Sequence, residues 1–257
     1  MAKCAYCEQN GKVTREEVMP LFLSRNRPAY RTVIDHQRRV VRAGVVTAVR
    51  DVCEDCNGGP LSRLDNYASS LDRRYFTQIV GTTQKIDFSY DFDLLLRWLL
   101  KVSYNDDRTR PPPHETKPFV PYILGREKEP PFSTNVLVGI ITPGVAPAEQ
   151  VARGFPELIE PESCGIGYLA YGEPALSDIQ LSRFVQINSY LLDVLAWRPK
   201  GSRPVRRSHI EQICRIHHMV ELKRNTNTVT VTAGVMDYLS FQSKFFPQTS
   251  TYRDARR

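Results

Sequence analysis

The sequence lacks the features that would place this chain in a membrane or send it out of the cell. No apolar run approaches the roughly 20 residues that a helix needs to cross a bilayer. The N-terminus, Met-Ala-Lys-Cys, has no apolar signal segment, so we expect a reducing, cytoplasmic compartment. No internal repeat divides the chain.

Histidine and cysteine are both scarce. The chain has five histidines, and His209, His217 and His218 lack companion ligands at useful spacing, so we expect no metal site around them. Of the six cysteines, Cys164 and Cys214 lie far from the other four, which favours a buried, small apolar role for each.

Length and composition indicate a soluble globular protein. The 257 residues suffice for one large or two modest domains. Hydrophobic residues make up 41% of the chain and aromatic residues 10%, which excludes a disordered chain. A formal net charge of +7 permits a polyanionic partner but does not by itself require one.

The remaining four cysteines form two close pairs near the N-terminus. The first pair is Cys4 and Cys7, and the second pair is Cys53 and Cys56. Two residues separate the cysteines within each pair. In a reducing compartment this pattern predicts one structural zinc ion bound by four thiolates, the alternative being two disulfides. Because 45 residues separate Cys7 from Cys53, we expect a folded unit between the pairs.

The segment around the cysteines has the pattern of a strand, a ribbon and a helix. Residues 14–23 favour a short strand that leads into a turn at Pro20. Residues 30–52 are rich in valine with glycine at the breaks, which predicts two or three short strands ending at Cys53. After Pro60, apolar residues at helical spacing predict a helix that begins near the last cysteine.

These motifs together resemble the four-cysteine zinc-knuckle branch of the HNH (ββα-metal) endonucleases. The resemblance rests on Cys-x-x-Cys, then Thr-Arg-Glu-Glu-Val-Met-Pro at 14–20, then Cys-x-x-Cys-Asn followed by Leu-Ser-Arg-Leu-Asp at 61–65. It covers about the first 80 residues. It implies a ββα fold stabilised by zinc and a metal-dependent cleavage of phosphodiesters in nucleic acid.

The resemblance also implies roles for individual residues. Glu16 matches the acid that binds the catalytic divalent ion, Mg²⁺ or Mn²⁺, and Asn57 matches the residue that completes the metal site. Position 17 departs from the family, because Glu17 stands where the general-base histidine is expected. A carboxylate is a weaker base than imidazole, so we expect Glu17 to act as a poor base or an additional metal ligand.

A second candidate for the base lies within the ribbon. Asp35-His36 resembles the Asp-His dipeptide at which many HNH strands begin, but it lacks the Val-x-Pro that should follow. It also lies inside an apparent hairpin insertion. We therefore interpret His36 as a surface or phosphate-facing residue.

Arginine is concentrated between the cysteine pairs. Its planar guanidinium suits phosphate oxygens, so we predict nucleic-acid contact there. The alternative is a solvated face whose arginines pair with Asp35, Asp51 and Asp55. The arginines predicted to bind nucleic acid are Arg25, Arg27, Arg31, Arg38, Arg39 and Arg42.

The remainder of the chain predicts an α+β arrangement. We assign residues 1–80 to the zinc-binding module and residues 81–257 to a larger mixed α+β domain of unknown role. The expected elements there are a buried helix at 91–104 and strands at about 136–142, 167–171, 185–192 and 228–232. Residues 203–218 predict a helix whose arginines either extend a nucleic-acid track or form an ordinary solvated face.

Three hypotheses about function follow. The first, implied by the resemblance, is an HNH endonuclease acting on DNA rather than RNA, in a bacterial defence or restriction-like system. The second is a catalytically silent module in which zinc stabilises a nucleic-acid-binding or partner-binding surface. The third is a protein-interaction adaptor, with a protein partner bound through the C-terminal domain.

Overall fold

A mixed sheet of eight strands lies at the centre of the fold, with helices on both of its faces. The computed structural model describes residues 2–25, 27–35, 38–43, 48–110, 112–167, 178–198, 203–234 and 236–245. The chain is therefore a mixed α+β protein, with its cysteine pairs near the N-terminus.

The N-terminal elements surround the cysteine pairs. They are β1 (Ala2–Lys3), β2 (Asn10–Gly11), β3 (Val13–Glu17), α1 (Leu21–Ser24), β4 (Ala29–Asp35), β5 (Arg38–Ala43), β6 (Ala48–Cys53), α2 (Glu54–Cys56), α3 (Ser62–Leu71) and β7 (Lys85–Ser89). Two π-helical segments, Asn57–Leu61 and Asp72–Phe76, extend α2 and α3 into one continuous helical segment. We predicted two or three short strands that end at Cys53; three are observed, of which β4 and β5 form a hairpin and β6 pairs with β3 and ends at Cys53.

The later elements supply most of the sheet and the helices that cover it. They are α4 (Phe92–Asp107), α5 (Val120–Ile123), β8 (Thr134–Thr142), β9 (Gly144–Val145), α6 (Ala148–Val151), β10 (Leu158–Ile159), β11 (Cys164–Gly167), β12 (Ile179–Ile187), β13 (Tyr190–Trp197), α7 (Arg203–His217), β14 (Val220–Leu222), β15 (Thr228–Thr232), β16 (Met236–Asp237) and α8 (Tyr238–Phe245). A 3₁₀ turn at Lys117–Phe119 precedes α5.

The strand order of the sheet is β14-β8-β13-β12-β11-β4-β5, with β16 alongside the end of β8. The neighbours are antiparallel except for the β11–β4 and β16–β8 pairs, which are parallel. Four further pairs of described strands lie outside the sheet, and three of them are β1 with β2, β3 with β6, and β7 with β15. The β9–β10 pair forms a separate small ribbon.

Strand β13 shows why the centre of the sheet is apolar on both sides. All eight of its residues are buried, and only Asp193 among them is charged. Leu192 and Val194 belong to the larger apolar cluster, which includes α4, whereas Leu191 and Leu195 belong to a smaller one with α7 and α8. A strand that is covered on both faces therefore has a nearly continuous apolar sequence.

Helix α4 lies between the sheet and the helix that follows the cysteines. Its N-cap is Asp91, whose side chain accepts a hydrogen bond of 3.0 Å from the backbone N–H of Leu94. Nearly every side chain from Leu95 to Asp107 is buried, because α3 packs on one side of the helix and β13 on another. The first half of the helix is largely apolar, whereas Lys101, Ser103, Asn105, Asp106 and Asp107 are buried in its second half, which therefore requires polar partners.

The pairing of β4 with β11 joins the cysteine segment to the C-terminal sheet. Cys164 lies opposite Ala29 in a parallel register, so the β4–β5 hairpin extends a sheet built mainly from residues after 130. The apolar cluster that begins at Cys4 also continues through α4 into this sheet. The strand pairing thus crosses residue 80, the boundary that we assigned between two domains.

The predicted elements after residue 80 differ from the observed ones mainly at one turn. The predicted helix is observed at Phe92–Asp107. The first and the last of the predicted strands are observed at Thr134–Thr142 and Thr228–Thr232. The segment 185–192, which we predicted as one strand, contains the turn between β12 and β13 at Asn188, whose φ is +48°. Asn188 and Ser189 are turn-forming residues between two apolar runs, so the pattern contained a break that the prediction of a single strand passed over. Part of the predicted strand 167–171 lies outside the described residues.

Candidate metal centre and the adjoining acidic site

The four cysteines predicted to bind zinc converge on one point. Their Sγ atoms all lie within 4.8 Å of one another, and the sulfurs of Cys7 and Cys53 are 3.6 Å apart. Four thiolates around a zinc ion at about 2.3 Å place their sulfurs about 3.8 Å apart, so the site fits a tetrahedral zinc. In the described part of the chain this is the one group of at least three Cys, His, Asp or Glu residues placed to bind a metal ion.

Local backbone structure positions each sulfur. Cys4 and Cys7 lie in a turn closed by a 2.8 Å hydrogen bond from the Cys4 N–H to the Gln9 carbonyl, and Glu8 adopts a φ of +63° there. Cys53 ends β6 and Cys56 lies in α2 immediately after it. A strand that passes directly into a helix thus presents the second pair toward the first.

The environment of the thiols shifts their pKa values in opposite directions. Burial alone would raise the pKa of Cys4, but backbone N–H groups, among them that of Cys53 at 3.3 Å, offset it and lower the pKa to about 7. Burial, followed by contact with the neighbouring cysteines, raises the pKa of Cys56, and burial also raises that of Cys53. Zinc binding therefore has to displace protons from this site.

The region around the centre is ββα-like. Strands β3 and β6 are antiparallel, with Val13 opposite Cys53 and Glu16 opposite Val49, and the helical segment follows directly. The side chain of Asn57 donates hydrogen bonds to Thr14 Oγ1 at 2.9 Å and to the Arg15 carbonyl at 3.2 Å. Asn57 thus holds the beginning of the helical segment against β3.

Glu16 is buried against α4 and has a cation of its own. Its carboxylate forms an ion pair with Lys101, whose side chain has no exposed surface. It also accepts a hydrogen bond of 3.2 Å from Asn105 Nδ2. The same Lys101 Nζ lies 2.8 and 2.7 Å from the two carboxylate oxygens of Asp65 on α3. The ammonium group therefore lies between an acid of the strand and an acid of the helix.

Sequence reasoning did not assign these partners of Glu16. Lys101 is a single lysine within an apolar helical run, and burial of such a residue requires a counter-ion. That requirement was a signal for a buried acid elsewhere in the chain. Asp65 ends the Leu-Ser-Arg-Leu-Asp motif at 61–65, but no sequence pattern connects it with position 101, so its ion pair was not predicted.

Glu17 has a different environment from its neighbour. Its side chain is 15% exposed and pairs with Arg15 at 2.9 Å. Its backbone carbonyl accepts a hydrogen bond of 3.0 Å from Asn105. The second carboxylate oxygen, Oε2, is enclosed and has no hydrogen-bond partner among the described residues.

An open cavity adjoins the site on the helical side. Its volume is about 460 Å³. Thr14, Glu54, Asn57, Gly58, Ser62 and Asp65 line it. Its side chains offer mainly oxygen donors, the kind that Mg²⁺ and Mn²⁺ prefer. Glu16 does not line this cavity.

A second polar cluster connects the C-terminal half of α4 to the turn that contains Cys4 and Cys7. Tyr6 donates a 2.7 Å hydrogen bond to Asn105 Oδ1, and the Arg108 guanidinium donates to the same oxygen. Arg108 also pairs with Asp51 and lies 4.9 and 4.8 Å from the ring centres of Tyr6 and Tyr104. Burial raises the pKa of Tyr104 to about 12, so it remains a neutral hydrogen-bond donor.

The arginines predicted to bind nucleic acid have different environments. Arg25 is exposed. Arg27 is buried, pairs with Asp72 at 2.7 Å and donates to the Phe76 carbonyl at 3.1 Å, so its guanidinium is committed inside the protein. The side chains of Arg31, Arg38, Arg39 and Arg42, and His36 as a whole, lie outside the described residues.

The histidines of the C-terminal half form no metal site with other described residues. His209 is buried and stacks on Trp197, with ring centres 6.1 Å apart. His209 therefore serves the packing of α7 on the sheet.

Comparison with known proteins adds no assignment. No family model, no curated protein and no solved structure matches this chain. Within the described residues, no helix is long and apolar enough to cross a membrane. The site therefore has to be interpreted from its own geometry.

Proposed function

We propose that the zinc-stabilised ββα-like region binds nucleic acid, DNA in preference to RNA, and that its cleavage of phosphodiesters is weak or absent. The observation that supports this most is the ion pair between Glu16 and Lys101. By resemblance to the HNH endonucleases, Glu16 is the acid that would bind the catalytic divalent ion. In this protein the ammonium group of Lys101 already neutralises that carboxylate.

Displacing Lys101 would be costly. The ammonium group has no exposed surface and interacts with both Glu16 and Asp65. A divalent ion at Glu16 would take one of the two carboxylates from this buried ammonium and place a second cation beside it, and breaking a buried pair costs about 3–5 kcal/mol in other proteins. Glu16 is therefore a poor ligand for an exchangeable Mg²⁺ or Mn²⁺.

The second argument concerns the base. Glu17 occupies the position at which the resemblance calls for histidine, and Arg15 pairs with its carboxylate. An unperturbed glutamate has a pKa of about 4.3, so it accepts a proton from water less readily than imidazole does. Loss of positioned acid-base catalysis lowers rates by about a hundred- to ten-thousand-fold.

The binding function is supported by exposed arginines of the same region. Arg63 and Arg73 lie on α3 and on the helical turn after it, with Asn66 and Ser70 between them at spacings of three and four residues. That spacing places the four residues along one face. Arg15, Arg25, Arg50 and Arg74 are exposed as well. Arg27 is left out of the proposed surface because its guanidinium is buried.

A second candidate function is metal-dependent DNA cleavage. It is favoured by the cavity beside Asn57 and Asp65, whose lining side chains offer oxygen ligands to a divalent ion. In that case a Mg²⁺ or Mn²⁺ ion would be bound from the cavity side by Asn57 and Asp65, with Glu17 as a slow base.

Salt-dependent binding tests the first proposal. We expect binding of a labelled duplex to weaken linearly on a log–log plot as salt rises, because phosphate contacts release counter-ions. Arg63→Ala with Arg73→Ala should reduce the slope by about one for each lost phosphate contact. Arg126→Ala, an exposed arginine outside the region, is the control and should leave the slope unchanged. Affinity indifferent to salt would contradict the proposal.

Plasmid nicking with Mg²⁺ or Mn²⁺ separates the two candidates. We expect little nicking by the wild-type protein, and at most a small gain in Glu17→His without a change in duplex affinity, because Glu16 stays paired with Lys101. Strong wild-type nicking that is lost in Asp65→Asn but retained in Glu17→Gln would instead support cleavage from the cavity with a different base.

A further inference from the structure

The exposed apolar side chains of this protein are concentrated on two elements. Seven large apolar residues are exposed in the described part of the chain. Four of them, Val145, Val151, Phe155 and Leu158, lie between β9 and β10, and two, Val205 and Ile216, lie on α7. The seventh, Leu21, lies apart from both. Apolar surface gathered in this way is typical of interaction sites.

The first element, residues 144–162, is here named the acidic arm. At its base, the Ala146 N–H donates a hydrogen bond of 2.8 Å to the Glu157 carbonyl, and Ile159 packs on the smaller apolar cluster, which includes α7 and α8. Val145 lies directly opposite Leu158 in the β9–β10 ribbon. Four glutamates against one arginine give the arm a charge of −3, whereas the whole chain carries +7. The acids, Glu149, Glu157, Glu160 and Glu162, are all exposed.

The second element, helix α7, combines apolar residues with the opposite charge. Its inner face packs on the sheet through Ile210 and Ile213. Val205 and Ile216 are eleven residues apart, which is about three helical turns, so they lie on the same outer face. Four arginines against one glutamate give the helix a charge of +3. These arginines are Arg203, Arg206, Arg207 and Arg215; Arg207 pairs with Glu211 and Glu221, so Arg203, Arg206 and Arg215 carry the charge of +3 that the helix offers to a partner.

We propose that the acidic arm of one molecule binds helix α7 of a second copy. Each surface offers exposed apolar side chains, and their charges are equal in size and opposite in sign. Apolar burial supplies the affinity of such a contact, while charge complementarity sets its orientation and excludes other pairings. Both surfaces are exposed in the folded chain, so each is free to meet its complement on a second copy.

The contact pairs two different surfaces, so it is heterologous. An open assembly keeps one unused arm at one end and one unused helix at the other until a ring closes, and a rotation that does not close gives an open chain. This inference is independent of the proposed nucleic-acid binding, since neither surface includes a residue of the zinc region.

Sedimentation velocity of the zinc-loaded full chain tests the proposal. Over about 1 to 100 µM, the range suited to a small interface, the average mass should rise above that of the monomer and should fall at high salt. The arm variant, Phe155→Ser with Leu158→Ser, and the helix variant, Val205→Ser with Ile216→Ser, should each weaken association more than about tenfold. Leu21→Ser removes an exposed apolar residue elsewhere and should leave association unchanged.

Mixing the two variants gives the decisive result. Each variant alone should be monomeric, but an equal mixture should form dimers and nothing larger, because one intact arm then meets one intact helix. A wild-type protein that stays monomeric throughout the range overturns the proposal. So does a mixture that stays monomeric, or a single variant that associates as the wild type does.

Discussion

The ammonium nitrogen of Lys101 lies 2.7 and 2.8 Å from the two carboxylate oxygens of Asp65, although 36 residues separate them along the chain. The same nitrogen pairs with Glu16, so one charge connects strand β3, helix α3 and helix α4. The zinc region is thereby fastened to the rest of the protein through its core.

Replacement of Lys101 by methionine should destabilise the protein strongly. Methionine fills a similar volume, but it leaves the buried Glu16 facing Asp65 without the cation between them. Breaking a buried pair in this way costs about 3–5 kcal/mol. Urea denaturation followed by circular dichroism measures the loss in the free energy of unfolding.

The matched control restores electrical balance. Lys101→Met combined with Glu16→Gln and Asp65→Asn removes all three charges, and we expect it to recover most of the lost stability. If Lys101→Met alone were as stable as the wild type, the ammonium group would not be the counter-ion that we describe.

The four-cysteine centre should bind one zinc ion per chain. Cys53→Ser removes one of four ligands, so we expect loss of zinc and of cooperative unfolding, because binding and folding are coupled in such sites. Metal analysis of the purified protein together with thermal unfolding gives both quantities.

Cys214→Ser is the control for that substitution. Cys214 lies on α7 outside the cluster, and burial raises its pKa to about 11, so its thiol is not poised to bind metal. We expect the variant to keep the full zinc content. Cooperative unfolding that is unchanged after complete removal of zinc would contradict a structural role for the ion.

Asp107 should make stability depend on acid pH. Burial alone would raise its pKa, but Arg183 at 2.7 Å and two hydrogen bonds from Thr116 more than offset this and lower the pKa. The folded pKa then lies below the unfolded value of about 3.9. The stabilisation is therefore complete above the unfolded pKa and is lost as pH falls through the folded one.

Urea unfolding between about pH 5 and pH 2 measures this effect. The wild-type free energy of unfolding should fall more steeply than that of Asp107→Asn, which has no carboxylate to protonate. Asp55→Asn, at an exposed position, should follow the wild-type curve. Equal slopes for the wild type and Asp107→Asn would contradict the prediction.

Arg27 should affect stability and leave nucleic-acid binding unchanged. Its guanidinium is enclosed with Asp72 and the Phe76 carbonyl, so Arg27→Met breaks a buried pair. We expect a loss of about 3 kcal/mol in the free energy of unfolding and the same salt slope for duplex binding as the wild type. A reduced slope with unchanged stability would place Arg27 on the binding surface instead.

Local patterns in the sequence predicted the elements that short-range chemistry controls. Two Cys-x-x-Cys pairs indicate one metal site wherever they fold, and the four sulfurs do converge. Alternating valines between the pairs predicted the strands that end at Cys53, although the last of them pairs with β3 and not with the β4–β5 hairpin, and the apolar run after Asp91 predicted a buried helix. The turn at Asn188 was missed although Asn188 and Ser189 are turn-forming residues, because the apolar runs on either side were joined into one strand.

The tertiary structure alone decided which charges meet. The sequence by itself determined that Glu16 lies on a strand, Asp65 on a helix and Lys101 on another helix, but local patterns carry no information on pairing across the core. Burial of Lys101 requires counter-ions, and only the packing of α4 on α3 and β3 places two carboxylates within hydrogen-bond distance. Local sequence patterns therefore predict the four-cysteine centre, whereas only the fold brings Lys101 to the carboxylate of Glu16.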